Sequence, residues 1–200
     1  MKIWFFLVFL FVFALNADLL NSQNKNRMDD WIYVISLKQG NKNLGDIKIR
    51  LFPDVAPLHC RNFDSLVSIG FYDGTAFHRV VKGFMMQGGD PNSKSKPKET
   101  WGLGDPSQRK IKAEFSQLKH KRGTISAART SDPNSATSQF FICFKDAPWL
   151  DGQYTIFGEV IDGFEVLDKV EKAKVEKQPY SSEVSSPVEK IEMKITRLRK

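Results

Sequence analysis

Two segments in which apolar and charged residues alternate constrain the fold of this chain most strongly. In residues 46–52 the alternating apolar positions are Ile47, Ile49 and Leu51. In residues 190–198 the same period returns at Ile191, Met193 and Ile195. A period of two places alternate side chains on opposite faces of an extended strand, so both segments are predicted to be half-buried antiparallel strands.

The rest of the chain adds further short strands and only two helices. Segments rich in β-branched and aromatic residues predict strands at residues 31–37, 77–81, 123–128, 138–144 and 155–161. Helical spacing is found at residues 57–69, which begin with Pro57, and at residues 164–170. Residues 91–106 and 178–187 are predicted loops. Because strands and helices do not alternate, the pattern indicates a mainly β domain, a closed antiparallel barrel capped by two α-helices.

The amino-terminal residues differ from this pattern. Lys2 precedes an unbroken apolar run over residues 3–15, and Asn16, Ala17 and Asp18 follow. This order is typical of a secretory signal peptide, so residues 1–17 are predicted to direct export to a periplasm or a secretory-pathway lumen. An uncleaved membrane anchor is the alternative, although the run is shorter than the ~20 residues of a membrane span. Residues 18–29 are predicted to be a disordered lead-in, and residues 30–200 to be one domain.

Cysteine and histidine residues give little sign of redox or metal chemistry. Export implies an oxidising compartment, where Cys60 and Cys143 could pair, but two buried free thiols are the favoured interpretation. No spacing of cysteine and histidine matches a zinc site. His78 is predicted to be structural and hydrogen-bonded, and His59 and His120 to be solvated.

The net charge of +7 raises the question of an acidic partner. Lysine and arginine are densest at residues 94–98 and 119–122, where no exposed aromatic residues are interleaved with them. Solvated loops are therefore favoured, and no nucleic acid is expected as a partner. Binding of nucleic acid or membrane by this basic surface is a weaker alternative, which a steep salt dependence would reveal.

Residues 77–90 combine one arginine with large apolar side chains, one glutamine and several glycines. An always-charged guanidinium beside a phenylalanine and methionine surface suits a ligand that is apolar and carries one polar atom. Considered by residue type alone, Arg79 could also be a surface ion-pair residue, and Phe84, Met85 and Phe141 could be barrel core. The Gly-x-Gly at residues 102–104 lacks a following helix, which excludes a phosphate loop of that type.

Three motifs carry a resemblance to a known family. They are FHRVVKGFMMQGGD at residues 77–90, SQFFIC at residues 138–143 and WLDG at residues 149–152. In this order and spacing they resemble the signature of the cyclophilin-type peptidyl-prolyl cis-trans isomerases, and the likeness extends over residues 31–199. Residues 128–136 look more like the bacterial members. The resemblance implies an eight-stranded antiparallel barrel with a helix at each end and a site on the outer face.

The resemblance also implies roles for individual residues. Arg79 is the catalytic residue that it implies, and Gln87 positions Arg79 or the substrate carbonyl. The implied pocket for the proline ring is formed by Phe84, Met85, Phe141 and Leu150. The rest of the implied groove is lined by Gly102, Ala128, Gln139, Trp149 and Tyr154. Three positions depart from the commoner pattern: Tyr154 replaces a histidine, Ala127 a methionine and Arg129 an asparagine.

The implied reaction is rotation about an X–Pro bond, which breaks no covalent bond and requires neither cofactor nor metal. The implied partners are proline-containing peptides, unfolded exported proteins and cyclosporin-type inhibitors, with the chain acting as a monomer. The alternative is a binding module that holds proline-containing segments in the same groove without turnover.

Overall fold

The computed structural model describes residues 31–198. Its strands are β1 Ile32–Gln39, β2 Lys42–Leu51, β3 Phe77–Val81, β4 Met85–Gly88, β5 Thr124–Ala127, β6 Phe140–Cys143, β7 Ile156–Asp162, β8 Val175–Lys177, β9 Val184–Pro187 and β10 Ile191–Arg197. Its α-helices are α1 Pro57–Ser68 and α2 Phe164–Glu171. Short 3-10 turns occupy Pro91–Ser93, Lys98–Thr100 and Pro148–Leu150. The predicted signal peptide and lead-in, residues 1–29, lie outside the described residues.

Eight of these strands form one antiparallel sheet in the order β10-β1-β2-β7-β5-β6-β4-β3. The two edges of the sheet approach each other, since Ala76 bridges to Glu192 and the backbone of Met193 bonds to Gly74 and Thr75. The barrel is therefore nearly closed, which leaves little unpaired edge. This architecture confirms the predicted mainly β barrel with two helices.

The alternating segments place their apolar residues in the barrel core, as predicted. Ile47, Ile49 and Ile191 are completely buried, and the core also holds residues of both helices, including Phe63 of α1 and Leu167 of α2. Pro57 begins α1, where its missing N–H is no loss. Residue Ala56 cannot cap the helix, but the Glu114 carboxylate accepts hydrogen bonds from the backbone N–H groups of Leu58 and His59.

Residues 178–187, predicted to be a loop, contain part of a small hairpin. Strand β9 pairs with β8 in a separate two-stranded sheet, and β9 packs against β3 of the barrel. Three- and four-residue strands with serine and proline carry almost no periodic pattern. Their pairing depends on tertiary contacts that the sequence does not reveal.

The predictions of solvated histidines were wrong. His59 and His120 are buried, with His59 Nδ1 2.7 Å from the Glu114 carboxylate and His120 Nδ1 3.1 Å from that of Asp151. His78 is buried, but the predicted hydrogen bonds are absent: neither of its ring nitrogens has a hydrogen-bond partner among the described residues. Burial lowers the pKa of all three, that of His78 to about 4.

Cys60 and Cys143 are free and buried, in line with the favoured interpretation. Burial raises the pKa of both thiols to about 12, so neither is a thiolate at neutral pH. Within residues 31–198, no cluster of three or more histidine, cysteine or acidic side chains could hold a metal ion. The helices of that same range include none that is long and apolar enough to cross a bilayer.

Candidate active site

Strand register assembles the centre of the site. Arg79 of β3 pairs with Gln87 of β4, which pairs with Phe141 of β6. Directly paired residues of neighbouring strands project to the same face of a sheet. The preceding and following residues project to the other face, and Val80, Met86 and Phe140 accordingly belong to the barrel core. One cross-strand row therefore carries a guanidinium, an amide and an aromatic ring on the outside of the barrel.

A second apolar cluster covers this outer face. Its buried members include Met85, Phe141 and Leu150, and Phe84 and Tyr154 are packed against it. Between these side chains lies a pocket of about 340 Å³. Its walls are Arg79, Phe84, Met85, Gln87, Ala128, Arg129, Phe141, Trp149, Leu150 and Tyr154. A pocket whose walls are mostly apolar and aromatic, with two arginines and one amide among them, suits a small apolar ring that carries a polar atom.

The 3-10 turn Pro148–Leu150 supplies one rim of the pocket. It buries Leu150 but leaves 59% of Trp149 exposed, with the Trp149 ring 5.6 Å from that of Phe84. An indole that is half packed and half solvated is common where a ligand completes the contact.

A chain of side-chain hydrogen bonds runs from Arg79 along the groove. Arg79 Nη1 donates to Gln87 Oε1 at 3.2 Å, and Gln87 Nε2 donates to Gln139 Oε1 at 3.0 Å. Gln139 Nε2 then donates to the Gly102 carbonyl at 3.2 Å. Each amide has a fixed orientation because its oxygen accepts from one neighbour and its nitrogen donates to the next. Gln87 is thus in direct contact with Arg79, and its positioning role stays a prediction.

A further cavity of about 300 Å³ continues the groove. Gly102 and Gln139 line this cavity rather than the apolar pocket, and Gln87, Ala128 and Arg129 belong to both. The loop at Gly102 is fixed by the buried Asp90 carboxylate, which accepts hydrogen bonds from the backbone N–H groups of Gly102 and Gly104. The sequence-predicted residues thus occupy two adjoining depressions, nine in the pocket and two in its extension.

Behind the pocket lies a polar cluster that the sequence did not predict. The His120 ring stacks on Phe141 with centroids 6.1 Å apart and an interplanar angle of 12°. Its two nitrogens lie within hydrogen-bonding distance of Asp151 and of Ser126. His120 and Ser126 are buried and do not line the pocket, so they support the Phe141 ring from behind.

Two further charged residues contact the site, and the sequence predicts no role for either of them. Arg129 covers the Tyr154 ring, and Glu183 binds Arg79. In the sequence Arg129 stands out as a departure from the commoner family pattern, and nothing there indicates its contact with Tyr154. Glu183 lies in a serine-rich segment, and no feature of its local sequence points to Arg79.

Comparisons with known proteins agree with this fold and pocket. The family model for cyclophilin-type peptidyl-prolyl cis-trans isomerases matches residues 34–198. A probable peptidyl-prolyl cis-trans isomerase of Brucella suis is 45% identical over 132 residues, which are 64% of this chain and 67% of the relative. Peptidyl-prolyl cis-trans isomerase-like 3 of Gallus gallus is 45% identical over 141 residues, 69% of this chain and 83% of the relative.

Comparison with solved structures indicates the same family. The crystal structure of a Cryptosporidium parvum cyclophilin-type isomerase, determined in the presence of the dipeptide Ala-Pro, superposes with a TM-score of 0.69. It is 35% identical, and the match covers 84% of this chain and 99% of that one. The family model and these relatives thus place the chain in the peptidyl-prolyl isomerase class of enzymes. The chain belongs to the cyclophilin-type peptidyl-prolyl cis-trans isomerases. Both bacterial and eukaryotic relatives match, so the bacterial affinity of residues 128–136 stays a prediction.

Proposed function

We propose that the chain isomerises X–Pro bonds by binding the twisted imide with Arg79 while the neighbouring apolar pocket holds the proline ring. The observation that carries this proposal is the position of Arg79 at the wall of that pocket, bonded to Gln87. The two groups that the reaction needs, a cationic donor and an apolar holder, are thereby adjacent.

The chemistry explains why these groups suffice. The barrier to rotation, ~18–20 kcal/mol, comes from the partial double bond between the carbonyl carbon and the nitrogen. In the twisted state the imide nitrogen regains its lone pair and accepts a hydrogen bond that the planar form cannot accept as well. A donor aimed at that nitrogen binds the transition state better than the ground state, and each ~1.4 kcal/mol of this difference increases the rate tenfold.

The guanidinium is suited to this task in two respects. Arginine stays protonated at any physiological pH, and its planar fork holds several N–H groups in a fixed geometry. Three of the five N–H groups of Arg79 bind Glu183 and Gln87, and the other two take no part in these contacts. The pocket contributes by immobilising the proline ring, so that the residue before proline turns while the ring stays in place.

The proposal has three further parts. The chain assists the folding of exported proteins, it is a monomer, and it binds cyclosporin-type inhibitors. The apolar run at residues 3–15 supports export and a role in folding exported proteins, which amino-terminal sequencing of the secreted product would test. The exposed Trp149 at the pocket rim supports binding of cyclosporin-type inhibitors, testable by calorimetry with Trp149→Ala as the comparison. The molar mass of the purified protein, measured by light scattering, would test whether it is a monomer.

The direct test measures cis-trans exchange of an Ala-Pro-containing peptide with the purified chain and with Arg79→Ala. We expect clear acceleration by the chain and at least a tenfold loss at saturating peptide in the variant, with peptide affinity changed much less. Arg50→Ala is a matched control, because Arg50 also forms a half-exposed ion pair with a glutamate, Glu159, on the barrel surface. The control should keep full activity.

Two results would contradict the proposal. If Arg79→Ala keeps the rate of the parent chain, another group stabilises the twisted imide. If the folded parent chain binds the peptide without accelerating exchange, the groove is a recognition site, as in the binding-module alternative.

A further inference from the structure

Arg79 is held by a carboxylate from outside the barrel. Glu183 accepts from Arg79 Nε at 2.6 Å and from Nη2 at 2.7 Å, so the two side chains form a bidentate ion pair. The remaining terminal nitrogen, Nη1, is the one that donates to Gln87. The guanidinium is thus gripped along one edge by Glu183 and at its other end by Gln87.

Glu183 is itself fixed in place by the hairpin that carries it. The Ser185 hydroxyl donates to Glu183 Oε2 at 2.6 Å, and the Gln178 backbone N–H donates to the Glu183 carbonyl at 2.9 Å. The Gln178 side chain donates to the His78 carbonyl, which belongs to the residue preceding Arg79. The β8–β9 hairpin is therefore anchored on the same strand that carries the arginine.

The ionisation and exposure of the two side chains fit a stable ion pair between Arg79 and Glu183. The hydrogen bonds from Arg79 lower the pKa of the Glu183 carboxyl, which stays ionised at neutral pH. Arg79 and Glu183 remain 31% and 37% exposed, and ion pairs at that exposure contribute little to folding stability. The contact is thus better explained by its effect on Arg79 than by its effect on the fold.

We propose that Glu183 is a positioning residue for the isomerase reaction, which holds the Arg79 guanidinium in the orientation that faces the twisted imide. This inference rests on the proposed role of Arg79. An arginine side chain has four rotatable bonds, and ordering them during catalysis would reduce the rate. The bidentate pair completes this ordering before the peptide binds. The carboxylate acts through Arg79 and has no contact with substrate in this account.

The test compares Glu183→Gln, Glu183→Asp and Glu176→Gln in the full chain. Glu176 is the matched control, since it lies on the same hairpin and pairs with a different cation, Lys98. For Glu183→Gln we expect kcat for an Ala-Pro-containing peptide to fall about tenfold, with KM changed less than about twofold. Glu183→Asp should recover part of kcat, and Glu176→Gln should keep all of it.

Two further readouts separate positioning from general damage. In the parent chain the Arg79 Nε–H resonance should be shifted and protected from solvent exchange by its bond to Glu183, and both properties should be lost in Glu183→Gln. In the Arg79→Ala background, Glu183→Gln should cause no additional loss of kcat, because the positioned group is already absent.

The outcomes distinguish this inference from the proposed function. If Arg79→Ala is slow while Glu183→Gln keeps kcat within twofold, or has a higher kcat, the positioning role is wrong and the role of Arg79 stands. An equal fall in Glu176→Gln would also overturn it, since the loss would then come from the hairpin as a whole. If Arg79→Ala keeps full activity, the proposed function itself fails.

Discussion

The guanidinium of Arg129 lies 4.3 Å from the centroid of the Tyr154 ring. Arg129 is tethered there by two hydrogen bonds to the Gln153 carbonyl, and Tyr154 meets Phe141 edge to face with centroids 5.8 Å apart. Cation, phenol ring and phenyl ring thus form a continuous row of contacts along one wall of the pocket. Arg129 and Tyr154, the two residues expected to depart from the commoner family pattern at this wall, are therefore in direct contact.

This row of contacts predicts that loss of the Arg129 side chain weakens peptide binding at the Tyr154 wall. Arg129→Ala should lower kcat/KM by about two- to fivefold, mainly through KM, because an exposed cation–π contact is worth about 0.5–1 kcal/mol. Arg122→Ala is the matched control, since Arg122 covers the Phe164 ring and neither residue lines the pocket. Steady-state kinetics with an Ala-Pro-containing peptide measures both variants. An unchanged KM in Arg129→Ala would show that Tyr154 keeps its place without the cation.

Adjacent methionines of β4 provide a second prediction, because they point to opposite faces of the same strand. Met85 belongs to the pocket cluster and Met86 to the barrel core, and both are at most 1% exposed. Truncating either to alanine should lower the free energy of unfolding by about 2–5 kcal/mol. Only Met85→Ala should also lower kcat/KM of the folded protein.

Denaturant unfolding and peptide kinetics, each measured where both variants are folded, separate these effects. If Met86→Ala lost as much kcat/KM per folded molecule as Met85→Ala, the division between pocket and core would be wrong.

His78 predicts how stability depends on pH. Burial lowers its pKa to about 4, with Arg79 acting in the same direction and Asp90 in the opposite one. The unfolded chain takes up this proton below about pH 6.5, so the folded state loses stability from there down to about pH 4. Between pH 7 and pH 4.5 the loss from this residue should be about 2 kcal/mol.

The comparison that isolates this effect is parent chain against His78→Leu, with the free energy of unfolding measured at both pH values. The leucine variant should lose about 2 kcal/mol less on acidification, while His59 and His120 contribute equally to both proteins. Identical pH dependence would mean that His78 titrates normally in the folded state.

Local pattern predicted those parts of the fold that depend on period and turn chemistry. The alternation of apolar residues was sufficient to predict strands β2 and β10, because a strand that is buried on one face has an apolar residue at every second position. Motifs in order then located residues that the register brings together, such as Arg79, Gln87 and Phe141. The roles of these residues remain predictions until activity is measured.

What sequence did not reveal depends on partners far along the chain. The buried His59 has its partner, Glu114, 55 residues away, and the buried His120 has Asp151 31 residues away. Glu183 is 104 residues from Arg79, on a hairpin whose strands are too short to carry a period. The local sequence around a residue does not reveal such contacts, because they form only when distant parts of the chain come together in the folded protein.

The measurement that tests the central claim most directly is the exchange rate of a saturating Ala-Pro-containing peptide on Arg79→Lys, observed by NMR. Lysine keeps the charge but removes the planar fork that Glu183 and Gln87 orient. We expect the exchange rate of the bound peptide to fall at least tenfold, with its Kd changed less than about threefold. An exchange rate equal to that of the parent chain would contradict the claim that an oriented guanidinium stabilises the twisted imide.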